Sequence, residues 1–485
     1  MKHKLADTTL DCCDWGLSLF LSARHAAPNG WPTVFSARRI RSGMARLVRF
    51  RVIDGIAVVT LDAAPVNALS APMRAGLWEV FSRIDGNPDI KAAVLMAAGR
   101  MFSAGADIRE FSNPVSDPSL PQLCNHIEAC SKPVVAAFHG LALGGGAELV
   151  LAAHYRLASS DARFGLPEVA LGLVSGAGGT QRLPRLIGAE RALQLMISTS
   201  SIEADVAHRI GLIDGIVQGD LGSGAVTFAQ NLVEQNKGPR PTRDNRTHFQ
   251  DARAHATAIA KARAGLDGNP LHAPDRVVDC VEVAALLPFD AGLAFEEDAF
   301  ARCLEHPQSI ALRHVFMAER KIDSALIEKV DNVFRPVVPM GKAVEARLRK
   351  AMRRAAENLV EKGANEPDID GAMVAYGFRK GPFGGRTKAD RNVEVERKLI
   401  AALLVEGAAC VDEGAVQRPS DIDALAVHAI SFPRRKGGPM RAAQSAGLIG
   451  LRKEMRVWEQ DSEIWAVPDL LDEAINDARG FDAVG

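Results

Sequence analysis

The sequence predicts an α/β layered domain in its N-terminal half and an all-helical region in its C-terminal half. Three observations lead there. From residue 46, short strand-like runs alternate with stretches of helical spacing. Glycine-rich turns interrupt these elements at their junctions. From residue 343 onward there is almost no strand signal.

Residues 47–53 and 55–62 alternate apolar and polar side chains around Asp54-Gly55, the signature of a tight hairpin. Helical spacing covers 73–84, and 92–97 is a short, wholly apolar strand. A helix is predicted over 120–130, a buried strand over 133–138, and a glycine turn at 140–146 that runs into a helix at 148–153. A further strand follows at 155–159, with helices over 202–211 and 224–235. The Pro- and Arg-rich stretch 238–246 is read as the end of the compact domain. Beyond it, 250–263 and 277–318 read as helices. Those at 343–361, 394–413 and 421–429 are separated by Gly/Pro-rich breaks at 376–385 and 432–439.

Fifty-eight Lys and Arg against 59 Asp and Glu leave a net charge of −1, so nothing global attracts a nucleic acid. No run of about 18 uninterrupted apolar residues predicts a membrane span. The seven cysteines form no CxxC pair, so no metal site is expected; a reducing, cytoplasmic compartment suits them. Residues 1–45 read as a poorly ordered extension, with Met44 an alternative start. Asp11 and Asp14 precede the apolar run 15–22, where a secretory signal carries positive charge; a transit peptide is the alternative reading, which the same acids disfavour.

Two glycine turns carry the chemistry. Phe102-Ser103-Ala104-Gly105-Ala106-Asp107-Ile108 follows a strand, and Leu143-Gly144-Gly145-Gly146-Ala147-Glu148-Leu149 joins a strand to a helix. One amide donor from each, converging on one oxygen, makes an oxyanion hole. Glu148 alone would read as a carboxylate complementing a helix dipole, and Glu168 alone as a solvated loop charge. Together, beside two donors, they can hold one water, and their repulsion separates their pKa values into a base and an acid.

Residues 46–240 resemble the crotonase superfamily, specifically enoyl-CoA hydratases. The matching segments are Asn67-Ala68-Leu69-Ser70, FSAGADI at 102–108, GGGAEL at 144–149, FGLPEV at 164–169 and SGAGGTQRLPRLIG at 175–188. The resemblance implies an α/β crotonase-type spiral of ββα units. It also implies an oxyanion hole from the N–H groups of Ala106 and Gly145, and a catalytic pair Glu148 and Glu168. Ala104, Gly105, Asp107, Ile108, Arg109 and Gly144 would line the substrate groove. The implied reaction is hydration of trans-2-enoyl-CoA in fatty-acid β-oxidation, with isomerisation of a 3-ene to a 2-ene as a second activity of the same site.

A dinucleotide-binding reading of Gly144 and Gly146 fails at the third fingerprint position, which is Leu149, and Glu148 would face a pyrophosphate. Gly222-Ser223-Gly224 lacks the third glycine, since Thr227 stands there. His139 and His154 read as residues packed beside the strands they flank.

The C-terminal half is similar to the helical C-terminal domains of 3-hydroxyacyl-CoA dehydrogenases. Asp368-Ile369-Asp370, residues 376–383, Pro419-Ser420-Asp421-Ile422-Asp423 and residues 432–440 carry that likeness. The whole chain thus resembles multifunctional fatty-acid oxidation enzymes, and 295–321 resembles their linker. Only 21 residues separate Lys321 from Ala343, where that family has a nucleotide-binding domain, and the family's catalytic Asn falls on Ala346. Arg379 and Lys380 replace residues the family keeps apolar. NAD binding and dehydrogenase activity are therefore expected to be absent. Arg347, Arg349, Lys350, Arg353 and Arg354 read either as a phosphate-attracting face or as the solvated side of a helix.

The expected organisation is an extension (1–45), a hydratase/isomerase domain (46–240), a helical linker region (241–342) and a helical domain (343–485). Two readings compete with a hydratase: a working bifunctional hydratase–dehydrogenase, and a subunit that binds acyl-CoA without turnover. A homo-oligomer or a β-oxidation partner enzyme fits the family.

Overall fold

A computed structural model describes residues 47–112, 116–331 and 333–483, so the expected N-terminal extension lies outside the described residues. The chain divides into two compact units, one ending at Arg302 and the other beginning at Cys303.

The first unit opens with the expected hairpin, β1 (Val48–Ile53) and β2 (Ile56–Leu61). Asp54 and Gly55 both take positive φ at its tip, as a two-residue turn matching strand twist requires. Helix α1 (Ala71–Gly86) leads to β3 (Ala92–Ala97), and α2 (Leu120–Glu128) leads to β4 (Val134–Phe138). The chain then alternates between two sheets through β5 (Leu141–Leu143), α3 (Gly145–Ala152), β6 (Tyr155–Ser159) and β7 (Arg163–Gly165). Helices α4 (Gly179–Ile187) and α5 (Ala189–Ser198) precede β8 (Ile202–Glu203), α6 (Ala204–Arg209), β9 (Gly215–Val217) and α7 (Leu221–Glu234). The large sheet runs β1-β2-β3-β4-β6-β9, parallel from β2 onward; β5-β7-β8 form the small one.

The apolar strands β3 and β4 are buried on both faces, which explains their unbroken hydrophobic sequence. Two elements differ from the sequence reading. The predicted helix at 202–211 begins as strand β8, because Ile202 and Glu203 pair with Phe164 and Arg163. The glycine- and proline-interrupted segment 179–198, unassigned from sequence, forms two helices.

The compact unit does not end at 240. Helices α8 (Ala252–Gly265), α9 (Ala273–Leu286) and α10 (Phe289–Glu305) follow, and those of the first unit are anchored on α4. Arg185 reaches the carbonyls of Arg243 and Ala284, and Gln181 donates to the Cys280 carbonyl. The ring of Phe289 receives the guanidinium groups of Arg182, Arg185 and Arg243 at 4.5–5.1 Å. Arg182 also closes a buried ion pair with Glu128 at 2.7 Å. The residues that read as a domain end are therefore an anchor, because their arginines find buried partners.

In the second unit, α11 (Pro307–Lys321) is followed by a hairpin of β10 (Ile327–Val330) and β11 (Val333–Pro336). The helices are α12 (Met340–Glu361), α13 (Glu366–Tyr376), α14 (Val393–Asp412), α15 (Pro419–Ala429), α16 (Pro439–Ala446), α17 (Leu448–Trp458) and α18 (Asp469–Asn476). The region 241–342 is thus divided between the two units rather than forming a linker of its own. The motif acids explain themselves locally. Asp370 accepts the amides of Phe383 and Gly385, fixing the turn after α13. Asp423 accepts the Met440 amide at the start of α16 and meets His314 of α11 at 2.7 Å. Among the described residues no helix is long and apolar enough to cross a membrane.

Glu319 of α11 joins His428 and Arg434. Burial alone would raise its pKa, but the hydrogen bonds and charges of Arg434 and His428 bring it down to about 2. A depressed carboxylate stabilises above its unfolded value and loses that stabilisation as pH falls through its folded value. Glu319→Gln is expected to cost on the order of 3 kcal/mol at pH 7. The difference from wild type should vanish as pH falls from about 4.5 towards 2, measured by urea unfolding of the full chain.

Candidate active site

The two glycine turns are far apart in sequence and are joined by a parallel bridge between Ser103 and Ala142. Ser103 donates its amide to the Leu141 carbonyl and accepts the Leu143 amide, both at 3.0 Å. Its hydroxyl donates to the Asn67 carbonyl at 2.7 Å and accepts the Gly105 amide at 3.1 Å. The first turn is tied further by Ala104 N–H to Val66 and Leu69 N–H to Gly105. Gly105 has φ +96, and a Cβ there would stand 2.8 Å from the Leu143 carbonyl and 3.1 Å from the Gly145 nitrogen, so only glycine lets the turns touch.

Asn67 locks the segment beneath. It sits at φ +49, accepts the Ala63 amide at 2.8 Å, and donates to the carbonyls of Ala98 and Met101, both at 2.9 Å. A short amide side chain that tolerates left-handed backbone while bonding three main-chain groups is what this position needs.

The amides of Ala106 and Gly145 find no acceptor among the described residues. A Cβ on Gly145 would lie 3.2 Å from the Ala106 nitrogen, so both border one small space. Gly145 opens α3, whose eight residues are all buried.

Glu148 in that helix is 3% exposed. Its Oε1 accepts the amides of Ala177 at 2.7 Å and Gly179 at 3.0 Å. Burial raises its pKa, while the two amides and the charge of Arg182 oppose the rise. Glu168 differs. Neither of its buried carboxyl oxygens has a hydrogen-bond partner, and Oε1 lies 3.6 Å from where a Gly144 Cβ would stand. Burial and the neighbouring charge of Glu148 push its pKa up to about 8. The Ser175 hydroxyl, also buried and unbonded, borders both acids. It acts on the titration of Glu168 without hydrogen-bonding geometry, and it stands with Glu148 Oε1 around the bare Cα of Gly179.

Residues 51–263 match the enoyl-CoA hydratase/isomerase family. The hydratase/isomerase domain has curated relatives named peroxisomal bifunctional enzyme in Danio rerio, 37% identical over 275 residues, and in Homo sapiens, 38% identical over 280. A peroxisomal fatty acid β-oxidation multifunctional protein of Arabidopsis thaliana is 36% identical over 281. These alignments cover 55–56% of this chain and 38–39% of each relative, so the chain spans well under half the length of the curated relatives it matches. The matched residues lie within the first unit, and the second unit is mostly helical.

Around the two glycine turns, the expected groove residues fall in distinct settings. Ala104 and Arg109 are exposed, Ile108 is half-buried, and Gly105 and Gly144 form the contact between the turns. Asp107 is held by Arg109 through its amide, Nε and Nη2. His139 and His154 are bonded to the carbonyls of Gly99 and Glu128, and burial lowers the pKa of His154.

One buried acid escapes sequence reasoning. Glu296 of α10 is fully buried, and its carboxyl accepts the amides of Gly178 at 2.5 Å and Thr180 at 2.8 Å, together with the Thr180 hydroxyl. Burial and Glu148 push its pKa up to about 8. Its sequence context, Phe295-Glu296-Glu297-Asp298, gives no signal that separates it from its acidic neighbours. In the second unit, Arg347 pairs with Glu406 and Glu413, Arg349 with Glu345, and Arg353 with Glu357. Three of the five cations read from the sequence thus serve as ion-pair partners, and Lys342 on the same helix pairs with Glu345. A cavity of about 320 Å³ nearby is lined by Arg349, Arg379, Lys380 and Arg386.

Asn67→Ala removes three hydrogen bonds and leaves two buried carbonyls unmet. It is expected to destabilise the first unit by on the order of 3 kcal/mol in urea unfolding.

Proposed function

We propose that the chain hydrates trans-2-enoyl-CoA thioesters to 3-hydroxyacyl-CoA. The observation that carries this reading is the unequal carboxyl pair, Glu148 held by two amides and Glu168 bare, beside two unpaired amides. The thioester oxygen would accept the N–H groups of Ala106 and Gly145, which stabilise the enolate as it forms. Glu148, whose anion is already hydrogen-bonded, takes a proton from water as the water oxygen bonds to C3. The electron pair of the C2–C3 double bond moves towards the thioester oxygen. When the enolate collapses, C2 takes the proton of Glu168, which burial keeps protonated near neutral pH. The acids then differ by one proton, and its return from Glu148 to Glu168 resets the pair.

Because the acid must carry its proton, hydration of crotonyl-CoA should fall on the alkaline side with an apparent pKa of about 8. Glu168→Gln and Glu148→Gln should each lower kcat by at least about 100-fold. Wild-type rates in either variant would refute the assignment.

Isomerisation of a 3-enoyl thioester needs one carboxylate that takes a proton from C4 and returns it to C2, and removing the Glu148 charge, one of the causes that hold the proton on Glu168, favours the Glu168 carboxylate for that role. Glu148→Gln should therefore lose hydration while retaining isomerisation, read by appearance of the conjugated enoyl absorbance.

The second unit fits the helical C-terminal domain of a 3-hydroxyacyl-CoA dehydrogenase in the placing of Asp370 and Asp423 on its turns. What joins α11 to α12 includes a two-stranded hairpin rather than a strand–glycine turn–helix cradle, which supports the reading that the chain does not take NAD. The chain alone should give no NADH absorbance with 3-hydroxyacyl-CoA and NAD; its appearance would favour the bifunctional reading. A cytoplasmic location rests on the buried thiols of Cys124, Cys130 and Cys410. The relatives compared above are named peroxisomal, and microscopy of a tagged full chain distinguishes the two compartments.

A further inference from the structure

The loop 177–180 holds two buried carboxyls at once. Its amides alternate: Ala177 and Gly179 donate to Glu148, while Gly178 and Thr180 donate to Glu296. Gly178, at φ +94, lets successive amides turn to opposite sides. We propose that Glu296 is a positioning residue for hydration, fixing from behind the loop whose other two amides hold the Glu148 carboxylate. This rests on the hydratase reading above. It extends the catalytic unit past Arg263, where the family match ends, to α10.

The chemistry favours positioning over simple packing. Burying a carboxyl without a directly paired cation is costly, and an apolar side chain would anchor a helix at less expense in free energy. What an apolar side chain lacks is two acceptors spaced for amides two residues apart. Glutamine cannot replace them either, because its NH₂ would meet one of the loop's N–H groups donor to donor. The titratable and charged groups that interact with Glu296 are Glu148 on α3, Glu168 on the turn after β7, Arg182 on α4 and Cys124 on α2. Of these, the titrations of Glu168, Arg182 and Cys124 respond to its charge. As Glu296 ionises in the same pH range as Glu168, its negative charge helps keep the proton on Glu168 there.

The test uses the full chain with crotonyl-CoA and four proteins: wild type, Glu296→Gln, Glu296→Asp and Thr180→Val. The expected result for Glu296→Gln is a kcat lower by about 10-fold to 100-fold, the loss that follows a displacement of about 1 Å. KM should change little, and the alkaline limb should move to lower pH because a neighbouring negative charge has gone. Glu296→Asp, which keeps the charge, should restore the position of that limb. Thr180→Val, which removes one donor to Glu296 without touching the acid, should move the limb less and in the same direction; it carries the test if the Gln variant fails to fold.

A Gln variant with wild-type kcat and pH profile overturns the proposal. So does one that loses kcat and melting temperature together with no movement of the limb, or a Val variant whose limb stays in place. Wild type that hydrates no enoyl thioester removes the functional reading itself, whereas an active wild type with indifferent variants removes only the role of Glu296.

Discussion

The site depends on how buried negative charge is supplied with donors. Glu148, Glu168 and Glu296 all carry carboxyls away from water, and among the described residues no arginine or lysine pairs directly with any of them. The nearest fixed cation, Arg182, is committed to Glu128 and to the Ala177 carbonyl. Main-chain amides do the work that cations would do elsewhere. They are neutral and cannot be titrated, so they favour an anion without cancelling its reactivity. The inequality between Glu148 and Glu168 follows: one acid has amides and the other has none.

This arrangement is expensive in stability. A carboxyl held protonated up to about pH 8 makes the folded state weaker as pH rises from its ordinary value towards that point, because the unfolded chain releases the proton more readily. The compensation lies in well-satisfied polar contacts around the site. Asn67 spends its side chain on three main-chain groups, and Arg185 ties α4 to the carbonyls of later segments. Desolvation gathers at the acids, and satisfied polar contacts gather in the scaffold beneath them.

Much of the first unit was legible because its signals are local. The Asp54-Gly55 turn, the apolar strand β3 and the glycine turns each depend on residues adjacent in sequence. The segments carrying Glu148 and Glu168 stood out for the same reason, although only coordinates show which acid has donors. What sequence could not give was the role of residues 241–302. A Pro- and Arg-rich stretch resembles a solvated linker until its guanidinium groups are seen around Phe289. Glu296 was hidden because burial of an acid depends on donors more than a hundred residues away. In the second unit, Asp370 and Asp423 were legible as motif residues, and their reason is mechanical: each accepts amides of a turn that begins or ends a helix.

Helix α3 has no solvent-facing side, and every one of its eight residues packs against protein. Such an element has no spare position at which a lineage could experiment. Adaptation to a different ligand would have to be written along the open rim, where Ala104 and Arg109 meet solvent, leaving the buried helix beneath untouched.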